Sequence, residues 1–264
     1  MELSFRLPNK KEVLVKELLF KDLRNFSLYR DSTLTGAIKF LESFICTKNL
    51  NIVEKFLALL ILREKCIGDK IGVNSKKGSV NIDLEYIQNN IGTFEDIREE
   101  ITIDNIKCVL NYPSKFNIGD TDFVFSLIES VEIEGEKVLI TGLSNEEYKT
   151  IINKLPKEIY NYLKQFINKN RVHFEVTALE ERKKLDIKEI KLNVLNSSFP
   201  SFIIHIFNCI TDIEYRELLF VLSKRMFDVN FLINSTYLEI QDFYKLYSDE
   251  TTRENETLKS ENTS

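Results

Sequence analysis

The stretch "NIVEKFLALLILREKCIGDKI", residues 51–71, decides the fold. It predicts a helix from about Ile52 to Cys66. The apolar residues of this helix cover more than one face, which is typical of a helix buried in a core. They are Phe56, Leu57, Leu59, Leu60, Ile61 and Leu62. The stretch turns charged at Arg63 and stops at Gly68, beside a basic loop that contains glycine. We therefore expect the rest of the chain to pack around this helix.

The composition is that of an ordinary globular protein. The chain has 264 residues, of which 43% are hydrophobic and 29% charged, enough for one large domain or two small ones. The 19 Phe and 10 Tyr residues support a sizeable core. Only 8 Gly and 4 Pro residues are present, which argues against Gly-rich phosphate-binding loops. The net charge of −5 gives no sign of a nucleic-acid-binding face.

The cysteines and the apolar runs indicate a reducing compartment and no membrane span. Cys46, Cys66, Cys108 and Cys209 are scattered and form no CxxC pair, so we expect reduced thiols. The N-terminus has no signal-peptide core, and the longest apolar runs, 56–62 and 202–210, fall short of the roughly 18 residues of a spanning helix. We expect a soluble, intracellular protein.

The periodicity predicts an α+β fold that is rich in helices and has several short β-hairpins. Strands Leu3–Leu7 and Val13–Leu18 flank a turn. Hairpins or strand pairs are predicted over 67–83 and 172–193, and one or two strands over 101–114. Residues 84–91 fit either a helix or a strand. Helices are predicted over 20–30, 121–133 and 155–167, and in three segments from 199 to 247. Another helix is predicted after an N-cap at Thr33 or Thr35. A further one follows the N-cap Ser144, where Glu147, three residues on, completes a capping box.

The expected domain division falls near residue 142, at "TGLSN". Residues 1–142 form an N-terminal α+β domain and residues 143–247 a mainly helical C-terminal domain. Residues 248–264 contain one Leu and no aromatic residue, so they predict a disordered polar tail.

The sequence carries no pattern typical of catalysis. His173 and His205 are the only histidines, and neither lies in a metal-binding or nucleophile-activating motif. The neighbouring carboxylates at Glu99–Glu100, Glu146–Glu147 and Glu180–Glu181 point apart on a helix or strand, whereas acid–base chemistry needs groups that converge. We expect a protein that is not an enzyme and that needs neither cofactor nor metal.

Five residues are candidates for an interface or a structural role: Arg63, Gly68, Tyr237, Phe243 and Tyr244. The Arg63 guanidinium suits a partner's carboxylates or a clamp on the adjacent loop. Alternatively, it caps the last carbonyls of its own helix or pairs with an acidic neighbour, Glu64 or Asp69. The three aromatic residues, with Tyr247, recur at helical spacing and suit either an interface anchor or core packing.

The order of several motifs resembles the baseplate hub proteins of T-even-type tailed bacteriophages. The chain opens with "FRLPNKKEVLVKELLFKDLRNF", like the family's "LP…K-x-V" hairpin and following "LFKDL" helix. Leu62, Arg63, Lys65 and Gly68 match a Leu-Arg-x-(Lys/small)-x-x-Gly pattern. Residues 111–114, "NYPS", resemble the family's "KYPS", and "LSKRMFDVNFLINSTYLEIQDFYKLY" is similar to its closing helices. The resemblance covers most of residues 3–247.

The resemblance implies a late phage tail protein that works through protein–protein contacts. Its expected partners are other baseplate hub or tape-measure proteins, without nucleic acid or a membrane span. It would act in the host cytoplasm during assembly, as a hub component that stays in the virion or as a transient chaperone. Some relatives carry a CxxC pair in the hairpin matching residues 172–190, but this chain has "TALEERKK" there, so no metal is implied.

Two alternatives stay open from the sequence. The first is a small intracellular protein-binding module with no virion role, which the neighbouring genes would distinguish. The second is an enzyme with an unfamiliar site, which would need a deep pocket lined by convergent polar groups.

Overall fold

The computed structural model describes residues 1–75, 78–83, 98–119, 121–140, 143–169, 173–180, 188–224 and 227–261. The helices are α1 Phe20–Ser32, α2 Leu34–Glu42, α3 Ile52–Cys66, α4 Asn145–Ile152, α5 Lys157–Lys169, α6 Phe199–Phe207, α7 Asp212–Ser223, α8 Val229–Ile233 and α9 Tyr237–Glu261. The strands are β1 Glu2–Arg6, β2 Glu12–Lys16, β3 Lys70–Ser75, β4 Gly78–Asp83, β5 Glu99–Ile103, β6 Ile106–Leu110, β7 Ile128–Ile133, β8 Glu136–Leu139, β9 His173–Glu180 and β10 Lys188–Asn193. These elements confirm the predicted α+β class.

All the strand pairs are antiparallel within the described residues. They form a two-stranded sheet, β1-β2, and two four-stranded sheets ordered β10-β9-β4-β3 and β5-β6-β7-β8. The hairpins predicted over 67–83 and 172–193 are therefore confirmed, although residues 76–77 and 181–187 at their tips lie outside the described residues. The undecided segment 84–91 also lies outside them.

Helix α3 occupies the centre of the core, as the opening stretch predicts. Asn51 caps it, because its side chain accepts hydrogen bonds from the backbone N–H groups of Val53 and Glu54 at 3.0 Å each. Phe56 and Leu60 are fully buried, and so are apolar side chains on the other faces of the helix. The helix packs against β2, α2, α6 and α9, and this enclosure explains its lack of a polar face.

Three helix starts show side-chain capping, and those of α2 and α4 use N-cap residues that the sequence predicted. Thr33, the N-cap of α2, accepts from Gly36 N–H at 3.0 Å. Ser144 and Glu147 form the predicted capping box at α4. At α9 the Thr236 N–H donates to the Glu239 carboxylate at 2.7 Å, and the Glu239 N–H donates back to the Thr236 hydroxyl at 3.3 Å.

The helix predicted over residues 121–133 is wrong. A 3₁₀ helix covers Thr121–Leu127, and strand β7 follows from Ile128 to Ile133. Glu134 (φ 53°) and Gly135 (φ 85°) have left-handed backbone conformations and form the turn between β7 and β8. Strand β6 pairs with the other edge of β7. Tertiary pairing has overridden a local apolar spacing that suited a helix.

The disordered tail predicted from residue 248 is also wrong as far as Glu261, because helix α9 runs from Tyr237 to that residue. Its first turns pack on the core through Ile240, which is fully buried. Once a helix has nucleated, each further residue adds a hydrogen bond without a new nucleation cost. No Pro or Gly interrupts residues 237–261. Residues 262–264 lie outside the described part.

One cluster of buried hydrophobic side chains extends across the predicted domain boundary. It includes Leu7 and Leu60 from before residue 142 and Leu163 and Ile240 from after it. Thr141 and Gly142 themselves lie outside the described residues. The division near residue 142 therefore stays a prediction.

Candidate functional site

Arg63 joins the end of α3 to two other segments of the chain. Its guanidinium is buried, and Nε donates to the backbone carbonyl of Ile206 in α6 at 2.8 Å. Nη1 donates to the carbonyl of Gly68, in the turn that follows α3. Arg63 therefore bonds both α6 and the turn after α3, which is the geometry expected of a loop clamp.

Gly68 ends α3 in a backbone conformation that favours glycine. Its φ is +122°, and its N–H donates to the carbonyls of Arg63 at 3.1 Å and Glu64 at 3.2 Å. Backbone N–H groups therefore cap the carbonyls of Arg63 and Glu64 at the end of α3. A Cβ at Gly68 would meet the Leu238 side chain at 3.5 Å, an ordinary contact, so the cost of a side chain there comes from the backbone.

Arg63, Gly68 and Tyr237 line one pocket of about 440 Å³, together with Asp69, Asn208, Cys209 and Gln241. The structure thus brings together three candidate residues that lie up to 174 positions apart in the sequence. Asn208 and Cys209 follow α6, and Gln241 lies one turn after Tyr237 in α9. The pocket is where α3, α6 and α9 meet.

Burial controls the ionisation of the groups around this pocket. It raises the pKa of the Cys209 thiol to about 12 and also raises the pKa of the Tyr237 phenol. It lowers the pKa of Arg63, against the opposing effects of Cys209 and Asp69. The thiol and the phenol are therefore protonated at neutral pH. This is the state of packing groups and not of an activated nucleophile.

The candidate aromatic residues of α9 lie in three different environments. Tyr237 stacks on Phe20 with ring centroids 6.1 Å apart. Phe243 stacks on Phe227 at 4.7 Å and contacts Phe231 at 5.6 Å. Tyr244 is exposed, and its ring lies 6.4 Å from that of Tyr247. The helical spacing therefore does not produce a single aromatic anchor, and of the three candidates Tyr244 is the most accessible to a partner.

A larger groove, of about 1240 Å³, runs along the N-terminal end of α3. The turn at Pro8–Lys11 and the segment 111–114 line it, so two of the motifs that carry the family resemblance meet here. Ile52 N–H donates to the Pro113 carbonyl at 2.9 Å, and the Lys55 ammonium donates to the Ser114 carbonyl at 2.6 Å. The segment 111–114 therefore holds the start of α3 in place.

Glu54 is the buried acid of this groove, and the sequence reasoning missed it. Its carboxylate accepts from Lys11 at 3.0 Å, from the Asn9 amide at 2.9 Å and from the Asn51 N–H at 2.9 Å. The capping-box spacing of Asn51 and Glu54 was visible in the sequence. The contacts with Asn9 and Lys11 span more than 40 residues, and no local pattern reveals them.

Exposed apolar side chains are concentrated after residue 199. The structure describes ten large hydrophobic residues as exposed, and six of them lie on α7, α8 and α9, which contact one another. We use the name C-terminal apolar surface for these six exposed residues of the three helices taken together, although Tyr244 and Leu246, two residues apart in α9, point to different sides of that helix. The six are Ile213, Phe220, Val229, Phe231, Tyr244 and Leu246. Ile213 and Phe220 are seven residues apart in α7 and so lie on the same face, with exposed fractions of 69% and 59%.

The part of the chain that the structure describes contains no metal-binding cluster, disulfide or membrane-spanning helix. No group of three or more His, Cys, Asp or Glu side chains could hold a metal ion there. The four cysteines are free thiols, as predicted. None of the described helices has the length and apolar character needed to cross a bilayer.

Comparison with known proteins decides the family. The family model described as "T4 bacteriophage base plate protein" matches residues 1–199 of the 264. The chain belongs to this family. The match includes the β1–β2 hairpin, α3 and the segment 111–114, and it ends where α6 begins. No curated protein and no solved structure gives a significant match.

Membership fixes the general role of this T4-type baseplate protein. It has a structural or assembly role in a phage baseplate, in the company of other baseplate proteins. Proteins of such a structural family are in general not enzymes. The C-terminal apolar surface lies entirely outside the matched range.

Proposed function

We propose that this baseplate protein is required for assembly of the baseplate hub, as a hub component or as a transient chaperone. It acts in the host cytoplasm through contacts with other hub or tape-measure proteins. The observation that carries the proposal is the C-terminal apolar surface, on helices that the family match does not reach. Family membership favours this role over that of a small binding module with no connection to the virion.

Burial of this surface would provide the binding free energy. Fully burying an apolar side chain of this size contributes roughly 1.5–3 kcal/mol, so a few such residues suffice to anchor an interface. The aromatic residues Phe220, Phe231 and Tyr244 are of the kind that dominates such anchors. Tyr244 is thus the candidate interface residue, whereas Arg63 and Gly68 act as structural residues at the end of α3.

Charged residues border the apolar side chains of α7, as in the polar rim of a protein–protein interface. Asp212 accepts from Arg24 at 2.9 Å and from Arg216 at 2.8 Å, next to the exposed Ile213. The hydrogen bond from Arg24 is the main cause that lowers the pKa of the Asp212 carboxyl. The rim therefore keeps both signs of charge at neutral pH, which favours a partner that also carries mixed charge.

Affinity capture from cells in which the encoding phage replicates tests the proposal. The tagged wild-type chain is expected to capture baseplate hub or tape-measure proteins, identified by mass spectrometry. The double variant Ile213→Asp/Phe220→Asp is expected to lose them, because each change places a charge where an apolar contact forms. Leu139→Asp is the matched control, since Leu139 is 56% exposed and lies on β8, an element that carries none of the six residues.

Two outcomes would count against the proposal. Equal capture by the wild type and the double variant would show that the C-terminal apolar surface does not bind these partners. A wild-type chain that captures no baseplate protein would remove the assembly role itself. Mass spectrometry of purified virions then separates the two versions of the proposal, because a component remains in the particle and a chaperone does not.

A further inference from the structure

Strand β1 has one edge that no other strand covers in the described part of the chain. It pairs with β2 in a register that places Leu3 opposite Val15 and Phe5 opposite Val13. Leu7 N–H donates to the Lys11 carbonyl at 2.9 Å. Hydrogen-bonded pairs alternate along an antiparallel ladder, so Leu3, Phe5 and Leu7 direct their backbone groups inward to β2.

The same alternation directs the backbone groups of Glu2, Ser4 and Arg6 outward. In β2, outward groups of Leu14 and Lys16 are already used: the Leu14 carbonyl accepts from Cys46 N–H at 2.8 Å, and Lys16 N–H donates to the Phe44 carbonyl at 2.7 Å. No described group bonds the outward backbone groups of β1. A row of free N–H and C=O groups on an extended strand matches the backbone of another extended strand.

We propose that this edge pairs with β1 of a second copy of the chain, antiparallel and centred on Ser4. In that register Glu2 lies opposite the partner's Arg6, Ser4 opposite the partner's Ser4, and Arg6 opposite the partner's Glu2. All three pairs use outward backbone groups, and each exchanges two hydrogen bonds. The result is a continuous four-stranded sheet, β2-β1-β1-β2, around a two-fold axis.

Charge complementarity selects this occupant and this register. The side chains of Glu2, Ser4 and Arg6 are exposed, and opposite charges on directly paired residues stabilise a sheet. Arg6 also donates through Nε to the Lys10 carbonyl at 3.0 Å, which orients the guanidinium and leaves its Nη groups for the partner's Glu2. Parallel pairing would instead place like charges side by side. A shift by two residues toward the turn would set Glu2 opposite Pro8, which has no N–H to donate.

Cysteine cross-linking tests the register. Residues in a hydrogen-bonded antiparallel pair have Cα atoms about 5.5 Å apart, within the range of a disulfide. Ser4→Cys is therefore expected to cross-link with itself under mild oxidation. Glu2→Cys and Arg6→Cys are expected to cross-link with each other in a mixture but not each with itself. The unsubstituted chain and Glu12→Cys, on the covered edge of β2, are the controls.

Sedimentation velocity measures the association without a cross-link. Ser4→Pro removes the outward N–H of both copies and leaves the inward bonds of the hairpin intact, since proline is tolerated on a strand edge. It is expected to weaken self-association about tenfold or more. Ser4→Ala keeps the N–H and is expected to associate like the wild type.

The inference is overturned if Ser4→Cys stays uncross-linked, or if Glu2→Cys and Arg6→Cys cross-link with themselves as readily as with each other. It is also overturned if the wild type and Ser4→Pro sediment alike, or if amide exchange at β1 slows only when another baseplate protein is added. The edge lies apart from the C-terminal apolar surface. The capture experiment and this one can therefore fail independently.

Discussion

Helices α3 and α9 are the two longest helices that the structure describes, and they meet solvent in opposite ways. Helix α3 buries apolar side chains on all its faces, together with one acid and one arginine. Helix α9 is 25 residues long, yet after its first turns most of its side chains are exposed. The two helices contact each other beside Arg63 and Tyr237.

This contrast separates the helix that stabilises the fold, α3, from the helix whose exposed side chains are available for binding, α9. Helix α3 lies within the range that the family model matches, and α9 lies beyond it. Substitutions in α3 should therefore act on stability. Substitutions on the exposed part of α9 should leave stability almost unchanged and act on binding.

Phe56→Ala should have the largest effect on stability. Phe56 is fully buried and packs edge-to-face on Phe199 with centroids 4.7 Å apart. The cavity should lower the free energy of unfolding by about 3–5 kcal/mol. Urea unfolding measures the change. Leu246→Ala, at an exposed position of α9, should change it by less than about 0.5 kcal/mol. Equal changes in the two variants would abolish the contrast between the helices.

Glu54→Ala should have the next largest effect on stability. It removes the buried partner of Lys11, Asn9 and the N-cap residue Asn51, at a cost of about 2–3 kcal/mol. Glu147→Ala is the matched control, because Glu147 holds the same capping-box position on the exposed start of α4. Urea unfolding should show a clearly smaller loss of unfolding free energy for the control. A control shift as large as that of Glu54→Ala would mean that capping alone, and not the groove contacts, stabilises α3.

Arg63→Lys should lower the free energy of unfolding less, by about 1–2 kcal/mol. The lysine ammonium cannot reproduce the planar guanidinium that bonds the carbonyls of Ile206 and Gly68 together. Amide hydrogen exchange should quicken at Gly68 and Asp69 and stay unchanged at β1. Lys65→Arg, at an exposed neighbouring position, should alter neither measurement. Unchanged exchange at Gly68 in Arg63→Lys would show that the clamp does not hold this turn.

The rate of thiol labelling should differ between the buried helix α3 and the exposed part of α9, and this comparison does not require a destabilising substitution. Burial raises the pKa of Cys66, at the end of α3, to about 11, so only about one thousandth of it is thiolate at pH 8. A cysteine introduced by Ser248→Cys on exposed α9 should react with a thiol reagent far faster than Cys66. The Cys66 rate should rise as the pH approaches its pKa. Fast labelling of Cys66 in the folded chain would contradict its enclosure.

Local patterns predicted the helices and their starts well, because the determining contacts lie within one turn. Thr33 caps α2 and Ser144 caps α4 through side chains that accept from N–H groups three residues on. The same local reasoning failed at Ile128–Ile133, where pairing with β6 decides the structure. It also failed after residue 248, where the packed base of α9 lets a polar sequence continue as helix.

The site was harder to predict than the fold, because its contacts cross the sequence. The acceptor of Arg63 Nε is the Ile206 carbonyl, 143 residues away, and no spacing rule connects them. The sequence suggested the loop clamp but could not choose it over a pairing with Glu64 or Asp69. Exposure of Ile213 and Phe220 was equally hidden, since their apolar character alone suits a core position.

Complementation of a phage that lacks this gene tests most directly whether the C-terminal apolar surface serves baseplate assembly. The wild type and Leu139→Asp should restore infectious titre and complete baseplates in electron micrographs. Ile213→Asp/Phe220→Asp should restore neither, although circular dichroism shows it to be folded. Full complementation by the folded double variant would contradict the account.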